Sequence, residues 1–203
     1  MSKILLQSFL KSKANLTDIE AEEILSYFQK VSIKKKEVLI YSEHKNDKLF
    51  FIEKGLLYSY KILDNGETQV IQFAKENGWI SDLYSFFADK PALFTIQTLE
   101  ECWLQTISKI KYDELCSKFP KLDRLFRLSF QAAYTASLLR ISDIYSQDAE
   151  TKYNNLIKNN ADLLQRVPQY LIASYLGILP SSLSRIRNKK ITLFSFLSIG
   201  ERD

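Results

Sequence analysis

Residues 166–190 read RVPQYLIASYLGILPSSLSRIRNKK. Pro168 suits the first position of a helix, because the N–H that proline lacks would have no partner there. Gly177 stands where such a helix would end, and Pro180 is placed to begin another one. The spacing predicts a helix–turn–helix unit, whose second helix enters the major groove in many DNA-binding proteins.

The second predicted helix has two chemically different sides. With about 3.6 residues per turn, Arg185 and Asn188 fall on the side of Ser181, and Leu183 and Ile186 fall on the opposite side. Arginine can bond two acceptors of guanine, and serine and asparagine can reach base edges or phosphates. We predict DNA contacts from Gln169, Ser181, Ser182, Ser184, Arg185, Arg187, Asn188, Lys189 and Lys190.

The charge of this segment favours a polyanionic partner. Between Asp162 and Glu201 the chain has five basic residues and no acidic one, although the net charge of the whole chain is only +4. Such a surface attracts nucleic acid. An ordinary packing unit is the alternative interpretation, because basic residues near a helix C-terminus also suit the helix dipole.

The composition argues against most enzyme classes. The chain has 203 residues, 46% of them apolar, which suits one large or two small globular domains. A single histidine, His44, cannot supply the paired histidines of zinc or non-haem iron sites, and two cysteines cannot hold a four-thiolate site. Glycine-rich phosphate loops are absent from the sequence. We therefore expect no catalytic residues, no metal and no cofactor, and a cupin-type enzyme is a disfavoured rival.

The sequence also predicts a location. No apolar run approaches the roughly 20 residues that span a bilayer, and the first residues lack the pattern of a signal peptide. We expect a reduced, cytoplasmic protein with no membrane partner, in which Cys102 and Cys116 are core residues.

The pattern of secondary structure that the sequence predicts changes at two places along the chain. The first thirty residues have helical spacing, with Thr17 and Glu20 placed for a capping box. From Val38 to about Ile107 short β-rich runs alternate with turns, and residues 64–66 (DNG) mark a hairpin. Residues 121–145 contain neither glycine nor proline and predict a long helix. The fold class is α+β: an antiparallel β-roll, a long helix and a C-terminal helix–turn–helix.

The predicted long helix carries two apolar stripes, whereas one is enough to dock a helix on its own domain. The second stripe predicts a partner, namely the same helix of another subunit. A helix buried within one domain is the alternative. The predicted dimerisation residues are Phe126, Phe130, Ala133, Ser137, Ile141 and Ile144, and the other stripe comprises Leu122, Leu125, Ser129, Ala132, Ala136 and Leu139.

Three stretches carry a resemblance to a known family: LFFIEKGLLYSY (49–60), ENGWISDLYSFF (76–87) and IASYLGILPSSLSRIR (172–187). The chain resembles the cyclic-AMP receptor protein/fumarate–nitrate reduction regulator (Crp/Fnr) family of transcription factors, and the last stretch is similar to Bacteroidetes-type members. The resemblance implies a β-roll sensor domain (1–119), a dimerisation helix (120–147) and a DNA-binding domain (148–203). It also implies a homodimer on palindromic double-stranded DNA, with RNA polymerase and a small-molecule effector as further partners.

The ligand cassette departs from the family pattern. Cyclic-nucleotide-binding members have a Gly-Glu pair and then an arginine followed by a small hydroxyl residue; the matching stretches here are residues 80–83 and 91–94, which contain no arginine. A buried phosphate without a cation is costly, so we expect a less charged effector than cyclic AMP, or none, although Lys90 lies nearby in sequence. Candidate ligand contacts are Trp79, Ser81, Asp82 (for a ribose hydroxyl) and Phe94, but an ordinary core position is the favoured interpretation for the aromatic ones.

The DNA-reading segment departs from the family as well. Leu179 replaces the hydroxyl residue that usually caps the recognition helix. The tail ITLFSFLSIGERD has no clear hairpin turn, which predicts a reduced wing or an apolar strand or helix. The alternative to a DNA-binding regulator is therefore a ligand-binding or interaction module. In such a module the helix–turn–helix unit does not bind DNA.

Overall fold

The computed structural model describes residues 5–199, and it describes side chains as far as Lys189. The chain divides into two compact units, one ending at Ala136 and the other beginning at Ser137. The first unit begins with helices α1 (Leu5–Ala14) and α2 (Asp18–Leu25). The predicted capping box is present at α2, where Thr17 accepts the amide of Glu20 and the Glu20 carboxylate accepts the amide of Thr17.

Eight strands follow, interrupted by one short helix. They are β1 (Gln29–Ile33), β2 (Val38–Ile40), β3 (Lys48–Lys54), β4 (Leu57–Ile62), β5 (Thr68–Ala74), β6 (Trp79–Ile80), then α3 (Leu83–Ala88), β7 (Thr95–Thr98) and β8 (Cys102–Ser108). They form two four-stranded antiparallel sheets, ordered β1-β8-β3-β6 and β2-β7-β4-β5. The predicted antiparallel roll is confirmed.

The predicted hairpin joins β4 to β5. Its turn brings the amide of Gly66 within 2.8 Å of the carbonyl oxygen of Leu63, and Gly66 has φ 81°, a conformation that glycine adopts without a steric penalty. Between the sheets lies an aliphatic core that includes Ile52, Leu57 and Leu104. Cys102 is fully buried in this core, as predicted.

A second core covers the outer face of the first sheet. It contains α1, α2, α4 (Lys109–Lys118) and the first part of α5 (Pro120–Ser146). Trp79 lies at its centre, with ring centroids 5.0 Å from Phe51 and 5.1 Å from Phe126. Phe126 is 0% exposed. Its assignment to the dimerisation stripe was therefore wrong, because the roll supplies an aromatic partner within the same chain.

The second unit contains the end of α5 and four further helices: α6 (Ala149–Asn160), α7 (Leu163–Arg166), α8 (Gln169–Leu176) and α9 (Pro180–Ile199). Asp148 caps α6 by accepting the amide of Thr151 at 2.7 Å. Within residues 180–199 the apolar tail continues the helix, so this part of the chain contains neither strand nor hairpin. Of the alternatives for the tail, the structure shows the helix.

Candidate nucleic-acid interface and ligand cassette

The turn between α8 and α9 depends on Gly177. This residue has φ 63° and ψ 41°, in the left-handed region that most residues avoid. Its amide bonds the carbonyl oxygen of Ser174 at 3.1 Å, and the amide of Ile178 bonds that of Ala173 at 3.0 Å. These two bonds define a Schellman motif, which satisfies carbonyls that the end of α8 leaves free.

Helix α9 has the two sides that its sequence predicts. Leu183 is 1% exposed and Ile186 is partly buried, whereas Arg185 and Asn188 are exposed. The other predicted DNA contacts divide by exposure: Gln169, Ser181, Ser184 and Lys189 are exposed, and Ser182 and Arg187 are half-buried. The side chain of Lys190 lies outside the described part of the chain. The helix therefore presents polar and cationic groups on the side opposite Leu183.

One acidic residue beside α9 was missed by sequence reasoning. Glu150, near the start of α6, has its Oε2 3.4 Å from Nζ of Lys189. The count of charges from Asp162 onward did not include it, and no local pattern links the two positions. Because both side chains are about half-exposed, this ion pair is weak.

The predicted ligand cassette contains a buried carboxylate. Asp82 is 3% exposed and caps α3. Its Oδ1 accepts the amide of Ser85 at 2.9 Å, and its Oδ2 accepts the amides of Leu93 and Phe94 at 2.8 and 3.0 Å. Each oxygen of Asp82 thus has a backbone partner, so the carboxylate that we assigned to a ribose hydroxyl instead holds the 93–94 segment.

The remaining predicted ligand residues are not brought together as a set. The Oγ of Ser81 donates to the carbonyl oxygen of Lys48 at 2.7 Å. Trp79 packs in the outer core, on the opposite face of β6 from Ile80, so it does not join Asp82. Lys90, the possible replacement cation, is exposed.

The 42–46 loop covers the same segment. The amide of Glu43 donates to the carbonyl oxygen of Ala92 at 2.8 Å, and the amide of Ala92 donates to that of His44 at 2.9 Å. Lys45 and Asp89 form an exposed ion pair at 2.8 Å, which lowers the pKa of Asp89. Through these contacts the 42–46 loop is held against residues 89–92.

The roll is similar in sequence to one known family. Residues 30–119 match the cyclic nucleotide-binding domain family. None of the curated proteins matches the chain in sequence. Residues 30–119, the long helix and the C-terminal helices together have the fold that Crp/Fnr regulators show.

Three solved structures illustrate this fold. FixK2 from Bradyrhizobium japonicum is 12% identical, with a TM-score of 0.70, covering 82% of this chain and 85% of FixK2. A CooA mutant from Carboxydothermus hydrogenoformans is 15% identical, with a TM-score of 0.71, covering 95% and 86%. The c-di-GMP responsive global regulator CLP of Xanthomonas campestris is 14% identical, with a TM-score of 0.66, covering 87% and 92%.

Two kinds of feature are absent from residues 5–199. No group of three or more histidine, cysteine, aspartate and glutamate side chains is arranged to hold a metal ion. No helix in this range is long and apolar enough to cross a membrane. Within residues 30–119, His44 is exposed, and burial raises the pKa of the Cys116 thiol to about 11.

Proposed function

We propose that the protein is a sequence-specific, DNA-binding transcription regulator of the Crp/Fnr type. It acts as a cytoplasmic homodimer on a palindromic duplex, with RNA polymerase as a further partner, and it belongs with the Bacteroidetes-type members. Its parts are a sensor domain (1–119), a dimerisation helix (120–147) and a DNA-binding domain (148–203). One observation carries the proposal: after a Schellman turn, α9 buries Leu183 and exposes Arg185 and Asn188.

The exposed groups suit two kinds of DNA contact. Arg185 bonds base edges in the major groove, with guanine as the best fit to its planar donors, while Ser181 and Asn188 bond neighbouring base edges or phosphates. Lys189 neutralises a phosphate and carries no base preference. Gln169, at the start of α8, contacts the backbone, because amides and polar side chains at helix N-termini suit phosphate.

The exposed apolar residues of α5 support a homodimer. Tyr134, Leu138, Ile141 and Tyr145 are 66%, 48%, 48% and 86% exposed. Their spacing of four, three and four residues places them on one side of the helix, as in a coiled-coil seam. A second copy of α5 carries the same seam and can bury it in a two-fold arrangement.

This seam only partly coincides with the predicted dimerisation stripe. Ala133, Ser137 and Ile141 are exposed and remain in the proposal. Phe130 packs against the roll core, and Ile144 lies beside Gly177.

We further propose an effector other than cyclic AMP, or none. The buried carboxylate of Asp82 uses amides that a bound anion would need, and it repels a phosphate. Residues 80–83 and 91–94 contain no arginine that could bind the phosphate, and the Lys90 side chain is exposed. An anionic nucleotide would have to displace Asp82 from its three backbone donors.

Selection of bound duplexes from a random pool, with size-exclusion chromatography alongside, tests the function. We expect an enriched palindrome, a dimer, and binding that weakens steeply with salt. Binding to no duplex at low salt would contradict the proposal and favour a ligand-binding or interaction module. Thermal shift with cyclic AMP tests the effector, and stabilisation by micromolar cyclic AMP would contradict that part.

A further inference from the structure

Arg140, on the last turns of α5, contacts the end of α8. Its Nη1 donates a hydrogen bond to the carbonyl oxygen of Tyr175 at 3.1 Å. Its guanidinium carbon lies 4.9 Å from the centre of the Tyr175 ring. One side chain thus holds both the backbone and the ring of a single residue, which fixes the distance and the orientation between the two helices.

The carbonyl oxygen of Tyr175 lies where α8 cannot satisfy it, because the last carbonyls of a helix have no partner within the helix. The two preceding carbonyls accept the amides of Gly177 and Ile178. Arg140 supplies a donor to the next one. This bond is charge-assisted and lies at the negative end of the α8 dipole, where a cation is favoured.

The contact is partly shielded from water. Burial lowers the pKa of Arg140 and raises the pKa of Tyr175. A cation over an aromatic ring is held more strongly when both are desolvated. One helical turn further along α5, a methyl carbon of Ile144 lies 3.6 Å from where a Cβ on Gly177 would stand. Two successive turns of α5 therefore touch the helix–turn–helix unit.

We propose that Arg140 is a positioning residue that fixes α8 against α5 and so sets the orientation in which α9 meets DNA. The DNA part of this inference rests on the proposed function, whereas the contact itself rests on geometry alone. Lysine cannot replace Arg140, because an ammonium group is a point donor without a planar face to stack on Tyr175.

The test compares the full-length parent with Arg140→Met, Arg140→Lys and Tyr175→Phe. Tyr175→Phe is the matched control, since it keeps the ring and the carbonyl group. Amide hydrogen exchange is measured at Gly177 and Ile178, and duplex binding is measured with the selected palindrome and with random sequence. Circular dichroism verifies folding, and if Arg140→Met unfolds, the comparison uses Arg140→Lys.

In both Arg140 variants we expect exchange at these amides to accelerate at least about tenfold, the factor that loss of a charge-assisted hydrogen bond implies. Affinity for the palindrome falls by a similar factor, while affinity for random duplex stays within about twofold, because the phosphate contacts remain. Tyr175→Phe keeps the ring and the carbonyl group that contact Arg140, so it should change exchange and affinity less than either Arg140 variant.

The possible failures are distinguishable. Unchanged exchange in both Arg140 variants would overturn the proposed contact, whether or not the chain binds DNA. Faster exchange with an unchanged ratio of palindrome to random affinity would overturn the positioning role. A parent chain that binds no duplex would remove the proposed function and the DNA-orienting role with it, while exchange would still decide whether Arg140 holds α8.

Discussion

Arg185 and Lys189 lie on the same exposed side of α9 but have different predicted partners. Arg185→Ala should cost about 1–3 kcal/mol of binding to the selected palindrome and relax base choice at one position of each half-site. Lys189→Ala should weaken all duplexes alike and make the salt dependence shallower, because it removes one phosphate contact. Titration of palindrome and random duplex at several salt concentrations measures both effects.

Glu150→Gln is the control for Lys189. It removes the acidic partner 3.4 Å away, so it should strengthen binding to every duplex without altering base choice.

For Arg185→Ala, an equal loss of affinity for the palindrome and for random sequence would contradict base recognition by Arg185.

Asp82 makes a prediction about stability. In Asp82→Asn an NH2 group replaces one acceptor oxygen, so at least one backbone donor of the cassette is left without a partner. The free energy of unfolding should fall by about 1–3 kcal/mol, the cost of a buried unsatisfied donor, as measured by urea denaturation.

Asp148→Asn is the matched control for Asp82. Asp148 also caps a helix but is exposed, and asparagine caps as well as aspartate, so the change should stay under about 0.5 kcal/mol. Equal losses in the two variants would show that Asp82 acts only as an ordinary helix cap.

At the scale of the element, Gly177 controls the angle between α8 and α9. In Gly177→Ala the new Cβ would meet Ile144 at 3.6 Å, an ordinary contact, so the cost is backbone strain of about 1–2 kcal/mol. Gly66→Ala is the matched control, since φ is 81° and nothing lies within 4 Å. Both variants should lower the melting temperature, but only Gly177→Ala should weaken DNA binding.

Local patterns predicted the elements better than their partners. The Thr17–Glu20 capping box and the 64–66 turn depend on neighbours in sequence, and both were found. The apolar stripe of α5 correctly predicts that Phe126 is buried, but periodicity does not tell whether the same chain or a second copy covers it. Arg140 was missed because its partner lies 35 positions away. A core position was the favoured interpretation for Trp79, and the structure places this side chain in the outer core, although the sequence did not indicate which core.

At the scale of the whole molecule, the seam of α5 predicts the oligomeric state. Leu138→Glu should convert the dimer to a monomer at micromolar concentration, because the two-fold arrangement brings the buried charge close to its own copy. Leu128→Glu is the control: Leu128 is equally exposed, 47% against 48%, but lies on another side of the helix. Analytical ultracentrifugation distinguishes the two, and a dimer that survives Leu138→Glu would contradict the seam.

The two tryptophans give the first compact unit its own optical reporters. Trp79 is wedged among Phe9, Phe28, Phe51 and Phe126, whereas Trp103 is 53% exposed beneath the ammonium group of Lys54. Iodide is drawn to that cation and should quench Trp103 first, leaving the emission of Trp79. Any compound that loosens the rings around Trp79 would thus be visible in label-free fluorescence, which offers a direct way to screen for an effector.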